Sequence, residues 1–542
     1  MLNSNTYKAF VLFLFFYFAY QVIGLYNAPL FETTEGRYAE IAREMLVSGD
    51  YIEPRLNGIK HFHKPPLAYW MMALGMKIFG VNGFGVRIFG VVASIFSIII
   101  LYLTSEIFFK KKEESLLITI ICSSTILFAG APNIVSTDIY LVLFTFLSLL
   151  FLYRQIFVKK CLTNTLLYAF FMGLGFITKG PVIFLFTLLP YFICKIFSNT
   201  HRKVFSLKEI LGGATLFLLI SLPWYLIVII KNPLLPDYFI NTQTIDRIST
   251  NRFHRNQPIY FFLAIFAVTF FPYTFYFIKG LFNFKKLDIK IQILYLYVII
   301  PLIFFSFNKS KLLSYIIPFY GIASIVTFDI IKNFKSRRFE KLSSYILIFI
   351  HILLIIYLIF GYTPLLSETN VKVLILLWLT FIIAFFIFNI KTKQKNFIIL
   401  SASSLFFIIL MIYLLLPSIG PENKGYKKLT ENINVVDPDK NIDIMVYKAF
   451  IPSISFYRNK ISVFALGKKR ETQFEYDRNY KQFYIDKENE VAEFFNKRGE
   501  MFVVTKPKYQ YELEKNYNLS CGAIYKQRKY SAYLCKEQKG SS

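Results

Sequence analysis

Charge is what this chain has little of. Only 17% of its 542 residues are charged, and the 33 acidic ones are outnumbered by 61 basic ones. A soluble chain of that length would divide into several domains with charged surfaces, so the shortage excludes an ordinary soluble protein. Cysteine is sparse too, at 5 residues. Cys122, Cys161 and Cys194 fall in or beside apolar runs and read as packing residues. Cys521 and Cys535 lie in a polar tail, where they are either a disulfide across two short strands, if the tail is outside, or two unrelated thiols. The first apolar run, at about 8–27, is followed by Gly24-Leu-Tyr-Asn-Ala-Pro29 in place of a small-residue cleavage site, so it reads as a retained anchor. Neither an internal repeat nor a long low-complexity segment is visible, and the inverted repeats of transporters are not evident.

What is abundant is apolar and aromatic, at 55% and 19% of residues, with a mean hydropathy of +0.49. Runs of spanning length recur near 8–27, 86–109, 115–131, 138–153, 164–179, 181–194, 209–230, 258–278, 290–307, 312–331, 343–361, 370–390 and 397–416, which makes about 13 membrane helices. Alternate loops carry Lys110-Lys-Lys112, Lys159-Lys160, Arg202-Lys203, Lys285-Lys286, Arg337-Arg338 and Lys391 to Lys395. Short basic loops mark the cytoplasmic side, so the N-terminus is expected inside and the other loops outside. The net charge of +28 then reflects those loops and anionic lipid, since no nucleic-acid module is visible. The expected organisation is an α-helical polytopic membrane domain over 1–417, with a large first outer loop at 28–85, and a small extracytoplasmic α/β domain over 418–542. Ile442 to Val446, Ile461 to Phe464 and Met501 to Val504 read as strands of that domain, and Glu488 to Lys497 as a helix.

The unusual polar residues fall on the outer side. Thr33-Thr34-Glu35 reads as a helix start with a hydroxyl cap and an acid in the first turn. Tyr38, Ile41, Ala42, Met45 and Leu46 then give one apolar face, with Arg37, Glu40 and Glu44 on a more polar side, and Gly49-Asp50 ends the helix. Such a helix would lie along the membrane surface, its charges solvated in the plainest reading. His61-Phe-His-Lys64-Pro-Pro66 follows, where two prolines hold the chain extended and a rigid lysine suits a phosphate or a lipid headgroup. Asp138 opens a span, a costly place for an acid unless it is paired or serves the helix dipole. Lys179 ends another in Thr178-Lys-Gly-Pro181, and Lys309 and Lys311 precede Tyr315. The loop 231–257 adds Asp246, Arg247, Arg252, His254 and Arg255. Together these gather cations at the outer boundary, where an anionic lipid-linked substrate would sit.

At these residues the chain resembles the bacterial aminoarabinose transferases of lipid A modification and their wider kin, which include protein O-mannosyltransferases, all membrane glycosyltransferases of the GT-C fold. The landmarks are Thr34-Glu-Gly-Arg-Tyr-Ala-Glu-Ile41, Arg43-Glu-Met45, Phe62-His-Lys-Pro-Pro66, Tyr69-Trp70, Thr137-Asp138, Thr178 to Pro181, Pro223-Trp-Tyr225 and Ser310 to Tyr315. Their order and sidedness are more specific than any one of them. The resemblance implies inverting transfer of a sugar from a polyprenyl-phosphate carrier to lipid A or another envelope acceptor, at the outer face of the bacterial inner membrane, with a periplasmic C-terminal domain. It implies Glu35 and Asp138 as the acids, Arg37, Lys64 and Lys179 on the donor phosphate, and Tyr38, Tyr315 and Lys311 lining the site.

Two departures stand out. The Asp-Glu pair of many relatives reads Thr34-Glu35, which suits a phosphate acceptor that needs no base to take a proton. His63 replaces a glutamate that relatives associate with a metal; His63 and His254, with His61 and Glu35, are the candidates for a divalent ion, set against plain interfacial histidines. Three functions compete. A glycosyltransferase places its ionisable residues on one face. A lipid-linked sugar transporter or flippase would place them deep in the spans. An envelope assembly protein would make Glu35 and Lys64 dispensable. Within the enzyme reading, a protein acceptor is the alternative to lipid A.

Overall fold

The structure, a computed structural model, describes residues 4–32, 34–197, 204–246, 256–334, 336–361, 369–391, 397–423, 425–467, 480–527 and 529–538. Among the described residues, nine helices are long and apolar enough to cross a membrane, or ten if Lys112–Ser124 and Ile126–Asn133, bent by 69°, form one broken span. The count is below the thirteen apolar runs for local reasons. At the bend, Ser123-Ser124-Thr125 turn their hydroxyls onto preceding carbonyls, as Thr125 Oγ1 does onto Cys122 O at 2.7 Å, and such back-bonding bends helices. The run at 258–278 is split by Pro272, which has no N–H to give, into Phe261–Thr269 and Thr274–Phe282. Val182–Phe197 is apolar but short.

The chain divides into two compact units. One holds Met1–Gly24, Gly90–Asn133 and Thr137–Leu414 and is helical. The other holds Leu25–Phe89, Ile134–Ser136 and Leu415–Ser542, so the loop after the first helix folds with the tail. The first helix of the chain, α1, is Ser4–Asn27. The loop then contains α2 (Thr34–Ser48), a hairpin of β1 (Arg55–Leu56) and β2 (Ile59–Lys60), and α3 (Leu67–Phe79), an apolar helix too short to span. The helix α4, Gly83–Phe108, follows.

The tail carries a six-stranded sheet of β3 (Ile444–Tyr447), β4 (Val463–Ala465), β5 (Tyr484–Ile485), β6 (Glu500–Thr505), β7 (Leu519–Lys526) and β8 (Ser531–Glu537). Their order is β5-β4-β3-β6-β8-β7, the first four parallel and the last two antiparallel. Alternate residues of β3 feed two cores: Met445 and Tyr447 pack with Val463, Val503 and Phe495, while Ile444 and Val446 pack with Phe464, Phe502 and Ile433. This double burial is why the strand is apolar throughout. The three strands and the helix expected from sequence are β3, β4, β6 and Glu488–Arg498. Cys521 and Cys535 face each other across β7 and β8 and form a disulfide, which selects the paired reading of the two tail cysteines.

Candidate active site

The helix α2 carries most of the polar residues of the first loop. Thr33, its expected cap, lies outside the described residues, and the helix ends at Ser48 before Gly49 at a φ of +72°. The expectation of a solvated polar side is corrected: every residue from Glu35 to Met45 is buried. Buried charges must be paired and hydrogen-bonded, and these are. Glu35 Oε2 accepts from Arg87 Nη2 at 2.8 Å and from the Phe31 N–H at 3.0 Å, and Oε1 accepts from the Val135 N–H at 3.2 Å. Arg87, on α4 and 1% exposed, also donates to the carbonyls of Ala28 and Pro29, both at 2.9 Å. With three donors around it, Glu35 ties segment 28–31, α4 and residue 135 together. Burial pushes its carboxyl up while Arg87 and the backbone donors oppose the shift.

One turn on, Arg43 forks onto Glu40 through two hydrogen bonds of 2.7 Å and reaches Asn459 Oδ1 at 3.3 Å. Glu44 accepts from the N–H groups of Asn57 and Gly58, at 2.9 Å for Gly58. Those two residues are the turn of the β1–β2 hairpin, with φ of +51° and +82°, the left-handed pair that a two-residue hairpin favours and that Asn-Gly supplies. A Cβ on Gly58 would stand 2.5 Å from the Phe483 ring, so glycine is needed there twice over. Burial, and then the neighbouring Glu40 charge, push the Glu44 carboxyl up to about 8.

The hairpin leads into His61, His63 and Lys64, all buried, with the two imidazole rings edge to face at 5.7 Å. Arg37 and Tyr38 are buried on α2, Tyr38 with its ring 5.7 Å from that of Tyr69. This unit therefore holds Glu35, Arg37, Tyr38, His63 and Lys64 of the expected site.

The other unit holds Asp138, Lys179, Tyr315 and Lys311. Asp138 begins the helix Asp138–Tyr153, and Lys179 is the last residue of Leu162–Lys179, which stops at Gly180 with φ +82°. Lys179 Nζ makes an ion pair with Asp138 and lies 5.1 Å from the centre of the Tyr315 ring. An ammonium has three donors; a carboxylate and an aromatic face hold this one in place. Lys311 Nζ donates instead to Gln257 O at 2.7 Å, and burial together with Lys309 lowers its affinity for its proton. His254, Arg247, Arg252 and Arg255 lie outside the described residues. Among the described residues no three His, Cys, Asp or Glu side chains converge on a metal position.

Two residues of this network were not singled out from sequence. Arg87 carries a signal, since an arginine inside an apolar run needs a partner. Glu32, whose Oε1 accepts from the Ser453 N–H at 2.8 Å, carries none.

The fold is of the GT-C type, and the chain is a multi-pass membrane protein. Over 98% of both chains it superposes on the crystal structure of ArnT from Cupriavidus metallidurans bound to undecaprenyl phosphate, with a TM-score of 0.81 at 18% identity. The family described as dolichyl-phosphate-mannose-protein mannosyltransferase matches residues 63–227. Among curated relatives, the undecaprenyl phosphate-alpha-4-amino-4-deoxy-L-arabinose arabinosyl transferase of Pseudomonas aeruginosa (strain LESB58) is 31% identical over 308 residues, 55% of each chain. The second transferase of that name from Proteus mirabilis (strain HI4320) is 29% identical over 365 residues, 65% of each chain. The match thus spans about half to two thirds of the length of these relatives.

Proposed function

We propose that this protein is a membrane glycosyltransferase that moves a sugar from a polyprenyl-phosphate carrier to lipid A, or to another envelope acceptor, at the outer face of the bacterial inner membrane. The observation that carries the reading is the Lys179 ammonium held between Asp138 and the Tyr315 ring, on a chain with this fold. As the sugar leaves, negative charge grows on the carrier phosphate. Fixed cations in a dry site stabilise that charge without reorganising, which is where such enzymes find most of their rate. In this reading Lys179, Arg37 and Lys64 bind the phosphate, Tyr38, Tyr315 and Lys311 line the site, and Asp138 orients Lys179. Glu35, with three donors already on its oxygens, acts by holding the first loop. The transfer is inverting, a single displacement in which no enzyme carboxylate bonds to the sugar. The basic loops support an N-terminus in the cytoplasm, and the Cys521–Cys535 disulfide supports a tail on the oxidising, periplasmic side.

Mass spectrometry of lipid A and envelope glycans tests this in matched cells lacking the protein, expressing it, or expressing a Lys64→Ala, Lys179→Ala variant at equal level. A sugar-sized increment on lipid A seen only with the unmodified protein is expected. If no lipid or glycan gains mass, the reading falls. A protein acceptor is the second reading, favoured by the family matched over residues 63–227, and glycopeptide analysis of the same cells distinguishes it.

Among the described residues His61 and His63 lie together with no third His, Cys, Asp or Glu placed to share a metal ion with them. Elemental analysis of the purified protein tests whether His254 completes a site with His63; a stoichiometric divalent ion lost on His63→Ala would establish it.

A further inference from the structure

We propose that Glu32 is a positioning residue: it docks segment 30–32 of the first outer loop onto the tail and so fixes where α2 presents Arg37 and Tyr38. Three consecutive residues of that segment are gripped. The Leu30 N–H donates to Tyr457 Oη at 2.7 Å, Phe31 forms an antiparallel bridge with Gly425, and Glu32 Oε1 accepts from the Ser453 N–H at 2.8 Å. The grip closes directly over α2. A Cβ on Gly36 would stand 2.6 Å from Glu32 Oε1 and 2.9 Å from Ser453 N, so a glycine one residue before Arg37 is what allows the carboxylate and the tail backbone to approach. Further along, the same surface is tied by Arg43 to Asn459, and by Tyr484 Oη, which donates to Leu56 O at 3.3 Å. Glu32 bridges loop and tail at the front of α2, where the cationic residues begin.

The docking is also sensitive to proton binding. The titratable groups around Glu32 are Arg37 and Glu35 on α2 and Tyr426, Tyr457 and Tyr530 from the tail. Burial among them pushes the Glu32 carboxyl up to about 7, with Ser453 and Arg37 opposing and Glu35 reinforcing. The docked state therefore holds a proton that the undocked carboxylate would release from about 4.5 upward. By linkage, docking is strongest below about 4.5 and weakens as pH rises from there through 7. A neutral isostere that keeps the acceptor oxygen should hold at every pH.

Hydrogen exchange on the full-length protein in detergent, read on peptides covering 28–48 and 449–460 at pH 6 and pH 8 and corrected for intrinsic exchange, tests this. Glu32→Ala and Gly36→Ala are expected to speed exchange in both peptides together by about tenfold, the worth of one or two hydrogen bonds. Tyr457→Phe should do so more weakly. Glu32→Gln is expected to protect both peptides at least as well as the unmodified protein does at pH 6, and to abolish the loosening at pH 8. Unchanged exchange in Glu32→Ala, or a Glu32→Gln variant as loose as Glu32→Ala, would overturn the proposal. The consequence for transfer rests on the reading above and is measured separately: sugar increments should fall in Glu32→Ala and Gly36→Ala and return in Glu32→Gln. Loosened exchange with undiminished transfer would overturn the positioning role. An absence of transfer in the unmodified protein counts against the transferase reading and leaves the exchange result to decide the docking.

Discussion

Two buried polar networks in this molecule are built on opposite lines. Around α2, carboxylates meet guanidinium groups and backbone N–H donors from distant segments: Glu35 with Arg87 and Val135, Glu40 with Arg43, Glu44 with the Asn57-Gly58 turn. Among the last three spans the network is neutral and small. Trp378 Nε1–H donates to His351 Nδ1 at 2.8 Å, which leaves the proton on Nε2 to donate to Ser404 Oγ at 2.9 Å. The first costs a great deal of desolvation and is held together only because each of these carboxylate oxygens finds a donor. The second joins three helices, Arg337–Gly361, Thr369–Lys391 and Phe397–Asn423, as hydrogen bonds between spans commonly do. Ionic burial on that scale is a mark of a site, whereas a neutral relay is a mark of assembly.

The sharpest way to test that distinction is to remove cations from the proposed site. Lys179→Ala and Lys64→Ala are each expected to lower sugar transfer by about a hundredfold or more, the usual worth of a fixed group facing developing charge, while the protein still accumulates in the membrane. Lys179→Ala leaves Asp138 without its ammonium, so a Lys179→Ala, Asp138→Asn variant should fold better than the single one and transfer no better. Recovery of transfer in that double variant would mean that Lys179 serves only to neutralise Asp138.

Arg87→Ala comes next. It strands Glu35 in a site where the pair's side chains are 0% and 6% exposed, and breaking such a pair costs about 3–5 kcal/mol. Thermal unfolding of the solubilised protein should show the loss, and Arg87→Lys should recover part of it, because one ammonium replaces some of the contacts the guanidinium makes to Glu35, Ala28, Pro29 and Gly83. A change too small to measure would mean that water reaches Glu35.

The Glu44 carboxyl offers a test through pH. Its affinity for a proton is raised in the fold, so the folded state binds the proton more tightly than the unfolded chain does. Stability from this group is complete below about 4.5 and is lost as pH rises to about 8. Glu44→Gln should flatten the dependence over that window. A profile that keeps its slope in the variant would place the titration elsewhere, with Glu32 the next group to examine.

Much of this was legible in the chain, and the remainder failed for identifiable reasons. The helix start near Thr34, its apolar periodicity and its end at Gly49 follow from local chemistry. The burial of its polar side does not, because the partners come from residues 57, 58, 87, 135 and 459, and no local pattern announces them. Asp138, Lys179 and Tyr315 could each be picked out as polar residues at the ends of apolar runs, yet their meeting depends on contacts across 41 residues or more. Hydropathy gives more runs than there are unbroken helices of spanning length among the described residues, because an apolar run continues through Pro272 and through Ser123-Ser124-Thr125, where the helix does not. The strands β7 and β8 are half polar, and they show up in sequence chiefly through their cysteines.

The smallest effect expected is in the neutral network, and its smallness is what makes it informative. His351→Leu removes the relay but leaves Trp378 and Ser404 each a single unmet group in an apolar bundle. Hydrogen bonds between membrane helices are worth only about 0.6 kcal/mol on average, because the separated helices find other partners. The variant should therefore lose about 1 kcal/mol or less in unfolding, keep its transfer activity, and respond to pH as the unmodified protein does. His351→Asn, which can accept from Trp378 and donate to Ser404, should be closer still. A loss approaching that of Arg87→Ala, or a fall in transfer, would erase the contrast between an ionic site and a neutral joint, and would place the last three spans in the working machinery of the proposed transfer.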